Sequence, residues 1–178
     1  MSPSRASAGR PAGRRPEGRR ILGVDPGLAS TGWGVLDCSA GRVCHVAHGC
    51  IETKAGTDAA LRLLHVMESL RAVVGEYRPD ESAVEILYFG KNVSSGIPVA
   101  ESRGVIFAVL AESGIPVAEF RPNAVKQGVT GVSSAGKRQV QEMVRVILGL
   151  DRIPKPDHAA DALAVAICAA NGPVFAGG

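Results

Sequence analysis

The chain has no apolar run approaching the roughly 18 residues of a membrane span. Its N-terminus has no apolar h-region, so no secretory signal is expected. Four cysteines are present, Cys38, Cys44, Cys50 and Cys168, and none stands in CxxC spacing. Zinc-type Cys/His spacing is therefore absent. Three of the four fall within or beside expected strands, where Cys serves as a small buried hydrophobe. They read as reduced thiols of a cytoplasmic protein. The chain also lacks GxSxG and Walker A sequences, the signatures of a serine nucleophile elbow and a phosphate loop.

What is present suits one domain with a substantial core: 178 residues, 46% apolar and 21% charged. The net charge of +3 conceals an asymmetry. Residues 1–20 hold six Arg and one Glu among Ser, Pro, Gly and Ala, so the rest of the chain is slightly acidic. That composition predicts a disordered basic tail over 1–20, either a solvated extension or an arm that attracts nucleic acid. The folded domain is expected over 21–172, with a short flexible C-terminus at 173–178.

Hydrophobic periodicity orders the elements. Strands are expected at 20–25, 32–38 and 42–52, joined by short turns and hence antiparallel. Leu63, Val66, Met67, Leu70, Val73, Val74 and Tyr77 recur at helical spacing, which predicts a helix over 58–78. A strand at 82–87 follows. A helix over 96–113 is apolar around most of its circumference, which predicts burial on two faces or a subunit interface. A short strand at 116–120, a helix opened by Pro122, and helices over 137–148 and 156–170 complete the order. The result is an α/β fold: a five-stranded mixed sheet flanked by helices on both faces.

Three acids sit in apolar surroundings, far apart in sequence. Asp25 ends the run Ile21-Leu22-Gly23-Val24, Glu85 follows Ala83-Val84, and Asp161 lies within Ala159-Ala160-Asp161-Ala162-Leu163. A buried carboxylate is costly without a cation or a donor. Three of them suggest one shared cation site. His158 lies at i, i+3 from Asp161 and Asp157 at i, i+4, so either shares a helix face with it. Asp157 equally suits a helix N-terminus, where the macrodipole favours an acid. Hard oxygen ligands suit Mg²⁺ or Mn²⁺. Two such ions about 4 Å apart suit in-line displacement at a phosphate.

The blocks Ile21-Leu22-Gly23-Val24-Asp25-Pro26-Gly27, Thr31-Gly32-Trp33-Gly34, Val84-Glu85, Gly90-Lys91-Asn92, Val125-Lys126-Gln127 and Asp157-His158-Ala159-Ala160-Asp161-Ala162-Leu163-Ala164 closely resemble the bacterial Holliday-junction resolvase family RuvC. The resemblance runs from about residue 20 to 170, with motifs in matching order. It implies an RNase H-like fold, a homodimer, and symmetric Mg²⁺-dependent nicking of four-way DNA in recombination and repair, with Mn²⁺ as another possible ion. Two ions per site and 5′-phosphate and 3′-hydroxyl products are part of that implication. The family's metal ligands and catalytic residues map onto Asp25, Glu85, His158 and Asp161. His158 stands where many members carry Asp, which leaves metal preference open. Tyr88, with Phe89 beside it, matches an aromatic that acts on a base near the junction; such stacking contributes roughly 1–3 kcal/mol. Lys91, Lys126, Lys137 and Arg138 are the basic candidates for DNA contact, with Arg103 a further one. Docking on the branch-migration proteins RuvA and RuvB is also implied, and no membrane partner.

Two alternatives stay open from sequence. One is a YqgF-type RNase H-like nuclease acting on RNA. The other is a non-catalytic junction-binding module, which would not need all three acids.

Overall fold

The computed structural model describes residues 18–86 and 93–172, without side chains for 93–95. Strand β1 (Arg19–Asp25) pairs antiparallel with β2 (Ser30–Ser39), which pairs antiparallel with β3 (Arg42–Glu52). On its other side β1 pairs parallel with β4 (Glu81–Glu85), and β4 with β5 (Val117–Phe120). The sheet order is thus β3-β2-β1-β4-β5, a mixed five-stranded sheet as expected.

Strand alternation splits the core in two. Ile21, Leu36 and Ala83 face one side, with Leu163, Ile167, Val125 and Val144 from three helices: α3 (Pro122–Thr130), α4 (Lys137–Ile147) and α5 (Asp157–Ala170). Leu22, Val24, Val35 and Val84 face the other, with Val66 and Leu70 of α1 (Ala59–Tyr77) and Ile106 and Leu110 of α2 (Val93–Glu112). Helices therefore cover both faces. Asp58 caps α1 by accepting from the backbone N–H of Ala60 and Leu61.

Four details differ from the sequence reading. β1 begins at Arg19, inside the stretch expected to be tail. Arg20 is buried and forks onto Asp37 through Nε and Nη2 at 2.7 and 2.8 Å, while Nη1 donates to Tyr77 O. Arg19 pairs with Glu81 at 2.9 Å and donates to the last carbonyls of α5 at Ala169 and Ala170. These two arginines can be folded because β2, β4 and α5 supply the acceptors, which local composition does not reveal. Second, β4 ends at Glu85, not at 87. Third, of the two readings of α2, burial on both faces within one chain is not what the described residues show. Ser102, Ile106, Val109 and Leu110 are buried, whereas Glu101, Gly104, Ala108 and Ala111 are exposed. Leu110 belongs to the core with α1. Fourth, the register slips between Val35 and Leu36, leaving Val46 of β3 as an extra residue. The slip lets His45 and His48 meet, with ring nitrogens 2.7 Å apart.

Candidate active site

Alternation along the strands decides where the acids point. Asp25 is two residues beyond Gly23 and four beyond Ile21, so it shares their face, toward α5. Glu85 shares the face of Ala83 by the same count. β1 and β4 run parallel with Val24 opposite Val84, so Asp25 and Glu85 emerge side by side at the carboxyl ends of neighbouring strands. Open α/β sheets place their ligands at such ends.

The third acid comes from α5, which lies directly on the sheet. Three glycines permit it. A Cβ at Gly23 would stand 2.1 Å from Ala162 O, one at Gly32 1.9 Å from His158 O, and one at Gly34 2.6 Å from a Leu163 methyl. A side chain at Gly23 or Gly32 would clash with the α5 backbone and force strand and helix apart, and one at Gly34 would displace the Leu163 side chain. The turn after Asp25 is held as well: the buried hydroxyls of Thr31 and Ser102 donate to Gly27 O at 2.6 and 3.3 Å.

The outcome is a tight group. One ligand atom from each of Asp25, His158 and Asp161 lies within 4.8 Å of the other two. His158 Nδ1 donates to Asp25 Oδ2 at 2.7 Å, and Lys137 Nζ lies 3.1 Å from Asp161 Oδ2. Glu85 and Asp161 line one cavity with Lys126 and Lys137, walled by Pro122, Val125, Val140 and Ala164. Burial, then the charges of Asp25 and Asp161, push the Glu85 carboxyl up to about 7, against the pull of Lys126 and Lys137. Burial raises Asp161 too, opposed by the Lys137 hydrogen bond. The hydrogen bond to Asp25 raises His158, although burial opposes it. Burial lowers Lys137, and the Asp161 and Asp157 carboxylates more than offset it.

Three carboxylates, two of them pushed upward by burial and by one another's charge, stand with an imidazole as a donor set that a cation would stabilise. Oxygen with one nitrogen ligand suits Mg²⁺ or Mn²⁺. The residues present therefore fit a divalent cation.

The sequence candidates divide clearly. Asp25, His158 and Asp161 come together, and Glu85 shares a cavity with Asp161 and feels the charges of Asp25 and Asp161. Lys126 and Lys137 stand at the same cavity, and Arg138 is exposed beside Lys137. Asp157 lies apart from the cluster and pairs with Lys155 at 2.6 Å. Arg103 is already engaged: it pairs with Glu119 and lies 4.3 Å over the Phe107 ring. Tyr88, Phe89 and Lys91 lie outside the described residues. Sequence reasoning missed the contact of Lys137 with Asp161 and the roles of Gly23, Gly32 and Gly34. The glycines' spacing was a usable signal, since 32 and 34 occupy one face of β2.

Residues 21–169 match the family model described as Crossover junction endodeoxyribonuclease RuvC. The chain belongs to the RuvC family. It is 51% identical over 149 residues to the crossover junction endodeoxyribonuclease RuvC of Chloroflexus aurantiacus, covering 84% of this chain and 91% of that one. Identity to the Treponema pallidum RuvC is 48% over 147 residues, covering 83% and 75%. Among solved structures, Thermus thermophilus RuvC in complex with Holliday junction substrate superposes with a TM-score of 0.79 at 32% identity, covering 84% of this chain and 92% of that one. The fold is thus the RNase H-like fold of RuvC. Among the described residues no helix is long and apolar enough to cross a membrane.

Proposed function

We propose that this RuvC-family protein is an endodeoxyribonuclease that resolves Holliday junctions by nicking two strands of four-way DNA symmetrically. The observation that carries the reading is the Asp25–His158–Asp161 cluster, with Glu85 beside it, at the carboxyl ends of β1 and β4. A non-catalytic junction binder has no need of such a cluster, and RuvC membership favours DNA over the RNA of a YqgF-type enzyme.

In this reading Asp25, Glu85, His158 and Asp161 hold two divalent cations, Mg²⁺ or Mn²⁺. When bound, the cations supply water activation and neutralise charge at the phosphate. The chain's own residues do the rest. Asp25 fixes the His158 ring through Nδ1. Lys126, Lys137 and Arg138 offer positive charge to the phosphate backbone, as DNA affinity requires. Tyr88 and Phe89 are the aromatics for stacking on a junction base, and Lys91 adds charge nearby. Paired nicks need two active sites related by a two-fold axis, which a homodimer supplies. Docking on RuvA–RuvB and work in the cytoplasm complete the proposal.

The test is to incubate the protein with a labelled mobile four-way junction and with linear duplex, in Mg²⁺ and in Mn²⁺, and map the nicks. Paired nicks at symmetric positions of the junction, with 5′-phosphate ends and an intact duplex, are expected. Equal cutting of the duplex, or binding without cutting, would overturn the reading.

A further inference from the structure

Two side chains already engage carboxylates of the acidic cluster. His158 occupies Asp25 at 2.7 Å, and Lys137 occupies Asp161 at 3.1 Å. The Lys137 ammonium has a second carboxylate within ion-pair range. Asp157 Oδ2 lies 3.8 Å away, on the first turn of α5, and is the more exposed of the two carboxylates, 45% against 28%. Asp157 is also tied to Lys155 at 2.6 Å and so stays ionised.

A carboxylate oxygen that accepts from Lys137 has its lone pairs turned toward that ammonium. A divalent cation approaching the same oxygen meets a like charge at contact range. Lys137 reaches the site from the first residue of α4, and its side chain is 55% exposed, so it can swing without disturbing the fold.

We propose that Lys137 is an internal counter-ion of Asp161 that a divalent cation displaces, and that Asp157 is the positioning residue that receives the displaced ammonium. The inference rests on the metal-binding reading above. It gives Asp157 a role in loading without making it a ligand. It also keeps Lys137 at the cavity mouth, where a backbone phosphate would meet it. Cation loading and phosphate binding then favour one another, since either releases Lys137 from Asp161 and linkage is reciprocal.

The test is a Mn²⁺ titration of the full chain without DNA, followed by water-proton relaxation, at fixed pH and ionic strength. Thermal melts confirm that each variant is folded. Lys137→Met is expected to tighten Mn²⁺ binding by about tenfold or more, because a like charge at contact range is removed and solvent around the exposed ammonium screens it only in part. Asp157→Asn is expected to weaken it by about threefold or more. The decisive arm is the double variant. If Asp157 acts by receiving Lys137, its substitution has little effect once Lys137→Met is present. Unchanged or weaker binding in Lys137→Met overturns the counter-ion. Equal weakening by Asp157→Asn in both backgrounds overturns the positioning role. Wild-type binding no tighter than that of Asp25→Asn would instead remove the metal-binding reading, and this inference with it.

Discussion

Gly32 and His158 are in contact through their backbones: a Cβ on Gly32 would stand 1.9 Å from the His158 carbonyl oxygen. Neither atom is the end of a flexible side chain, so Gly32→Ala must move β2 or α5. Overpacking of this kind costs about 1–3 kcal/mol. For a domain of this size that lowers Tm by roughly 2–4 °C per kcal/mol. Cleavage should fall further than stability does, by about tenfold or more, because small misplacements of catalytic groups are costly in rate. Differential scanning calorimetry and single-turnover nicking at a temperature where the variant is folded separate the two effects. Gly75→Ala serves as the control, since a Cβ there meets nothing within 4 Å.

The order of the elements was legible because the relevant signals are local. Helix α1 shows its stripe of Val66, Leu70, Val73 and Val74, and β1 is an apolar run stopped by Pro26 and Gly27. The acids were legible because a carboxylate within an apolar stretch is rare without a partner. What stayed hidden depends on contacts between distant residues. Arg19, and the anchoring role of Arg20 at the start of the expected strand, stayed hidden because their acceptors, Glu81, Asp37 and the end of α5, lie far along the chain. The one-sided burial of α2 depends on which helix packs beside it. The pairing of Lys137 with Asp161 spans α4 and α5, and no motif spacing encodes it.

Metal loading should release protons. Burial and the neighbouring acids push Glu85 up to about 7, so it is partly protonated near neutrality without a cation, and the hydrogen bond to Asp25 favours the protonated form of His158. Cation binding needs the carboxylate ionised and the imidazole neutral. Apparent Mn²⁺ affinity is therefore expected to fall as pH drops from about 8 to 6, and extra metal should restore activity on the acid side. Calorimetry in two buffers of different ionisation enthalpy counts the protons. An affinity flat across this range, with no proton release, contradicts the assignment.

The same shifts set the stability of the metal-free protein. A raised pKa in the folded state, for Glu85 as for His158, gives stability that is present at low pH and lost as pH rises through the folded value. His45 and His48 act in the opposite sense: burial lowers both, His45 to about 4, so they cost stability below the ordinary His range. Between about pH 6.5 and 8 the metal-free protein should therefore lose stability as pH rises. Glu85→Gln should flatten that slope in thermal melts. An unchanged slope would show that Glu85 titrates normally.

The basic stretch at the start of the chain can be tested by deletion. Residues 1–17 carry four Arg and one Glu, whereas Arg19 and Arg20 belong to β1. Deleting residues 2–17 should leave Tm unchanged, weaken binding to any DNA, and shrink the salt dependence of binding. Extending the deletion through Arg20 should lower Tm as well, because it removes the Asp37 and Glu81 partners. Fluorescence anisotropy on junction and duplex across a salt series reads the slope. An unchanged slope after the shorter deletion would show that residues 2–17 do not touch DNA.

The central claim is that Asp25, Glu85 and Asp161 act in cleavage and not in DNA affinity. Phosphate affinity comes mainly from basic residues, so removing an acid should leave binding intact or slightly tighter. The most direct measurement sets junction binding beside Mg²⁺-dependent nicking for Asp25→Asn, Glu85→Gln and Asp161→Asn, each checked for fold by circular dichroism. The account predicts loss of nicking by at least about a hundredfold, with dissociation constants within a few-fold of wild type. Nicking at the wild-type rate in any of the three, or loss of binding in step with nicking in a folded variant, would contradict it.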